Sequence, residues 1–81
     1  MTMPDAVATR LVRKLGLLQS PSKDAMKAFR RRTRELEPQC LSLNQAAMKA
    51  AGEIFPAEFQ PTRYAGHADP IETLLADIDN L

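Results

Sequence analysis

Ser20-Pro21-Ser22-Lys23-Asp24-Ala25-Met26-Lys27-Ala28-Phe29-Arg30-Arg31-Arg32-Thr33-Arg34-Glu35-Leu36-Glu37-Pro38 reads as one helix held between two prolines. Ser20 is a natural N-cap with Pro21 at the first helical position, where a missing N–H costs nothing. Pro38 blocks any continuation past Glu37, because its ring clashes with the preceding turn. Between them Ala25, Met26, Phe29, Thr33 and Leu36 recur at helical spacing and form one apolar arc. The polar side is crowded with Lys23, Lys27, Arg30, Arg31, Arg32 and Arg34. All of these but Arg32 fall within an arc of about 100° on a helical projection.

The flanks carry the same period. Toward the N-terminus, Thr2 and Asp5 have capping-box spacing and Pro4 suits a first turn, so a helix is expected from Pro4 to Leu18. Its apolar arc is Val7, Ala8, Leu11, Val12, Leu15 and Leu18, with Arg10, Arg13 and Lys14 opposite. Gly16 is a place where this helix can end. Toward the C-terminus, Ser42 and Gln45 form a second capping box, and Leu41 is placed to staple onto Ala46. Leu43, Ala47, Ala50, Ala51 and Ile54 supply that helix's stripe, and Gly52 either ends it or is carried through to Phe55. Residues 55 to 69 break the period with Pro56, Pro61 and Gly66, and hold three of the four aromatics, Phe55, Phe59 and Tyr64. The last helix begins at Asp69-Pro70 with a D-x-x-E cap to Glu72. Its Ile71, Leu74, Leu75, Ile78 and Leu81 lie within an arc of about 120°.

No alternating pattern persists long enough for a strand, and no repeat is present. The expected fold is therefore all-α: a small, irregular three- to four-helix bundle with a long Pro/aromatic connection before the C-terminal helix. Three segments organise it: a basic helical core at 1–54, the connection at 55–68, and an acidic amphipathic helix at 69–81. The expected core is Leu11, Val12, Leu15, Met26, Phe29, Leu36, Leu43, Ala47, Ala50 and Ile54.

With 81 residues the chain is one small domain. Such a chain buries only roughly 60–65% of the surface it exposes when unfolded, so oligomerisation or docking on a larger partner is a reasonable expectation. Cys40 is the single cysteine, which excludes a disulfide framework and fits a reducing, intracellular setting, cytoplasmic or nuclear. Its expected place is as a small hydrophobe in the interior. No apolar run reaches the roughly 20 residues a membrane span needs. The opening Met1-Thr2-Met3-Pro4-Asp5 lacks the charged and apolar regions of a signal peptide.

The net charge of +1 conceals a split. Residues 1–54 hold ten of the eleven basic side chains and five acids, about +5. Residues 55–81 hold Arg63 against Glu58, Asp69, Glu72, Asp77 and Asp79, about −4. Two contact surfaces are candidates. Lys23, Lys27, Arg30, Arg31 and Arg34 form a basic stripe fit for nucleic-acid phosphates or an acidic protein. Its competing reading is a solvated face partly neutralised by Asp24 and an Arg31–Glu35 pair. Phe55, Phe59, Tyr64, Ile71, Leu74, Leu75, Ile78 and Leu81 form an apolar face fit for a partner's groove. The same face can instead cap the chain's own core, with its acids lying against the basic helix.

Other functions have less support. Asn44 to Gly52 resembles the opening helix of a helix-turn-helix, but Pro56 and Pro61 forbid the recognition helix that must follow. His67 stands beside Asp69 in a loop without a nucleophile or a second histidine spaced to join it. No catalytic residue, metal site or cofactor is expected. The expectation is a non-enzymatic protein-binding module, an adaptor, inhibitor or regulatory subunit of a larger protein or complex. The alternative is a nucleic-acid-binding regulator, and a homo-oligomer is compatible with either.

Overall fold

Ser22, rather than Ser20, caps the second helix, α2 (Lys23–Leu36). Its backbone is extended, and its Oγ accepts a hydrogen bond from the Ala25 N–H at 3.1 Å. Pro21 therefore lies just outside the helix, and Asp24 falls in the first turn, where a negative charge meets the positive end of the helix dipole. The computed structural model describes residues 4–64 and 70–81. Around α2 stand α1 (Pro4–Leu15), α3 (Leu43–Ile54) and α4 (Ile71–Asp79), with 3₁₀ turns at Glu37–Gln39 and Pro61–Arg63. The fold is all-α, with no strand among the described residues. None of these helices is long and apolar enough to cross a membrane.

Helix α1 stops three residues short of the expected Leu18. Gly16 adopts φ +69°, and the N–H groups of Gly16 and Leu17 both donate to the Val12 carbonyl, at 2.7 and 3.1 Å. This left-handed residue closes the helix and redirects the chain. The redirection buries Leu17 and leaves Leu18 64% exposed, reversing the helical projection. Gly16 also meets a close approach, since a Cβ there would lie 2.5 Å from the Arg63 Cβ.

Pro38 ends α2 as expected, through the 3₁₀ turn that contains it. Ser42 caps α3, its Oγ accepting from the Gln45 N–H at 3.1 Å. The return bond runs from the Leu41 N–H to Gln45 Oε1 at 2.7 Å, one residue earlier than in an ideal capping box. The expected staple is absent: Leu41 is 96% exposed, although Ala46 is buried. With its backbone tied to Gln45, the Leu41 side chain stands away from α3. Gly52 is carried inside α3, facing open space.

The interior is one hydrophobic cluster fed by every helix. Helix α2 packs most extensively on α3, whose buried Ala46, Ala47, Ala50 and Ala51 permit a close approach to Met26, Phe29 and Leu36. Phe55 follows α3 into this interior, its ring 6.1 Å from that of Phe29 in a tilted arrangement. Thr33 is also fully buried and satisfies its hydroxyl by donating to the Phe29 carbonyl at 2.8 Å. Of the expected core, Val12, Leu43 and Ile54 are only partly buried, while the remainder is buried.

The terminal helix α4 touches α1, α2 and α3. Its Leu74, Leu75 and Ile78 are fully buried and Ile71 nearly so. Each such side chain contributes about 1.5–3 kcal/mol on leaving water, against a whole-domain stability of roughly 5–15 kcal/mol. Helix α4 is thus the fourth wall of the bundle, and not a projecting tail. The expected Thr2–Asp5 and Asp69–Glu72 caps, and His67, lie outside the described residues.

Candidate functional site

The acids of α4 are used inside the molecule. Arg10 of α1 forms an ion pair with Asp77. Arg30 of α2 holds Asp79, with Nε 2.6 Å from Oδ1 and Nη2 donating to Oδ2 at 3.2 Å. The Nε contact is ionic and not a hydrogen bond, since Nε has no aligned acceptor. The two ends of the charge split therefore meet each other within one chain.

Other cations are also engaged. Arg32 donates from Nε to Glu53 of α3 at 2.9 Å and lies 3.6 Å from Glu35. The Glu53 hydrogen bond pushes the Arg32 pKa above its ordinary value. Arg34 reaches Glu37 at 3.3 Å. The expected Arg31–Glu35 pair is replaced by Arg32–Glu35, because Arg32 points toward α3, where Glu53 gathers it.

Lys14 departs furthest from its helical projection. Placed opposite the apolar arc, it is nonetheless only 1% exposed. Its Nζ lies 5.0 Å from the centre of the Tyr64 ring, a cation–π contact. Tyr64 Oη donates to Asn44 Oδ1 at 2.6 Å, and burial pushes the phenol up to about 12. The connection thus folds back over α1. Glu58 fastens it, its carboxylate accepting from the Gln19 N–H at 3.1 Å and its carbonyl from Arg63 Nη2 at 3.2 Å.

Two features left open among the described residues bear on function. The first is the row Lys23, Lys27 and Arg31, all exposed and without an ion pair among the described residues. The second is a groove of about 470 Å³ between α3 and the connection. Cys40, Met48, Phe59 and Pro61 give it an apolar lining, and Gln45 and Lys49 a polar one. Leu41 follows Cys40 in the chain, and its N–H donates to Oε1 of the lining residue Gln45.

The apolar face expected to meet a partner is placed differently. Phe55, Ile71, Leu74, Leu75 and Ile78 are buried in the chain's own core, and Tyr64 and Leu81 are partly buried against it. This overturns their expected presentation as a surface: the helix that carries the strongest amphipathic arc is the one needed to close a thin core. Phe59, itself mostly buried, lines the groove, and Ile78 lines a second concavity at the junction of α2 and α4. The basic stripe divides, with Arg30 and Arg34 paired and Lys23, Lys27 and Arg31 open. Leu41, Cys40, Met48 and Lys49 were not expected at a site. Two signals pointed there: a leucine between Pro38 and the Ser42 cap, and Pro56 and Pro61 turning the connection back across α3.

No protein family matches this chain, and no curated protein or solved structure matches it either.

Proposed function

We propose that the chain is a small, non-enzymatic protein-binding module, an adaptor, inhibitor or regulatory subunit of a larger partner. The observation that supports it is Leu41, 96% exposed and next in the chain to Cys40, which lines the groove with Met48, Phe59 and Pro61. A large apolar side chain exposed to water gains about 1.5–3 kcal/mol when covered, and a partner's apolar surface would supply that cover. Lys49, exposed at the rim and without an ion pair among the described residues, suits an acidic residue flanking the partner's apolar anchor. The proposed contact surface therefore passes from α4 to the groove, retaining Phe59 from the connection. On this reading the setting is intracellular, where a single, partly buried thiol stays reduced.

A photo-crosslinker at position 41, used in cells of the source organism with nuclease treatment, tests this. The expected result is a discrete protein adduct whose affinity falls about tenfold or more in Leu41→Glu and Met48→Glu, and is unchanged in Lys27→Ala. An adduct equally abundant with Met48→Glu, or none at all, would contradict the reading.

A further inference from the structure

The six cations of α2 are not equivalent, and the fold sorts them by spacing. Arg30, Arg32 and Arg34 are neutralised by Asp79, Glu53 and Glu37. Lys23, Lys27 and Arg31 recur every fourth residue, so they form a row along the exposed side, each about 6 Å above the last. Asp24 lies at the start of the row and forms no ion pair with it. A row of equally spaced cations on a rigid helix fits a polymer with equally spaced anions better than it fits a protein's irregular acids. Lys27 and Arg31, with Arg30, also line a concavity of about 380 Å³ at the junction with α4. Asp79 also lines it, and its carboxylate is held by Arg30, not by Lys27 or Arg31.

We propose that this row binds the phosphate backbone of a nucleic acid, with Lys23, Lys27 and Arg31 each neutralising one phosphate. The contact is independent of base sequence, since the row presents charge and carries no side chain placed to read a base edge. It lies on α2, apart from the groove, so it stands or falls separately from the protein-binding reading.

The test is the salt dependence of binding by the full chain to a labelled single-stranded oligonucleotide and to a duplex of the same sequence. Three neutralised phosphates give a slope of log K against log salt of about −2.1 for the single strand and about −2.7 for the duplex. Affinity then falls about 20-fold and about 40-fold, respectively, between 50 and 200 mM salt. Lys27→Ala combined with Arg31→Ala leaves one contact, and the slope relaxes to about −1. Arg32→Ala, which removes a cation already paired with Glu53, leaves the slope unchanged. The exposed positions of Lys27 and Arg31 keep the double variant folded, which its circular dichroism verifies. The proposal is overturned by three results: no binding to either oligonucleotide at low salt, a slope that the double variant does not change, or equally tight binding to poly-glutamate labelled at its terminus in a competition assay run with the charge-reversed polymer, poly-lysine, as the negative control.

Discussion

Arg30 and Lys27 sit one turn apart on the same helix, and the molecule treats them in opposite ways. Arg30 is clasped to Asp79 of α4, whereas Lys27 meets no acid among the described residues. The contrast extends beyond this pair. Arg10, Lys14, Arg30, Arg32 and Arg34 are absorbed by the fold, through Asp77, the Tyr64 ring, Asp79, Glu53 and Glu37. Lys23, Lys27 and Arg31 are left to solvent. A cluster of charge in a sequence is therefore two populations once the chain folds, and only the unpaired one is available to a partner.

Two of the absorbed cations, Arg10 and Arg30, depend on α4 being docked, and the largest effect should come from undermining that docking. Leu74 is fully buried, and Leu74→Ala should cost about 2–5 kcal/mol of unfolding free energy in a urea titration. In a domain this small that is a large share of the total. A loss under 1 kcal/mol would mean that α4 contributes little to the core and that its ion pairs are incidental.

The next effect concerns Lys14, the cation that the fold takes in most deeply. Tyr64 is the only tyrosine, so its phenolate absorbance reports this site alone. The raised phenol should titrate near about 12 in the folded chain. An unfolded tyrosine ionises near 10, so above that pH the unfolded chain releases a proton that the folded chain retains. Stability is complete below about pH 10 and declines as pH rises toward about 12, and Tyr64→Phe should remove the tyrosine's share of that decline. An ordinary titration near 10 would place Tyr64, and the Lys14 beneath it, in water.

The smallest effect separates the two sets directly. Arg30→Ala breaks an ion pair that is partly exposed and should cost about 0.2–1 kcal/mol, fading as salt screens it. Lys27→Ala should stay within about 0.5 kcal/mol of the parent at any salt. Equal and salt-independent costs would erase the distinction.

Much of this was legible in the sequence because local rules set it. The period of Met26, Phe29, Thr33 and Leu36 marks the buried side of α2, and all four are buried. Ser42 announces the start of α3, and the Ile71, Leu74, Leu75 and Ile78 arc marks the inner face of α4. What escaped is tertiary. Lys14 lies on the polar side of α1 by period, yet residues some fifty positions later fold over it. Leu17 and Leu18 exchange places because Gly16 breaks the phase of the helix. Serines at 20 and 22 have the same capping chemistry, and only the packed structure chooses Ser22. Of the candidate site, the basic residues were visible but their partners were not. The groove needed the connection's path, which Pro56 and Pro61 bend without fixing where it lands.

Whether α4 belongs to the core or hangs from it decides which charges are free, and native-state hydrogen exchange reads this directly. If α4 is a wall of the bundle, the amides of Leu75 and Ile78 exchange with the same free energy as those of Ala50 and Ala51 in α3, through global unfolding. Exchange of the α4 amides well below that level, with α3 still protected, would contradict it and return Asp77 and Asp79 to solvent.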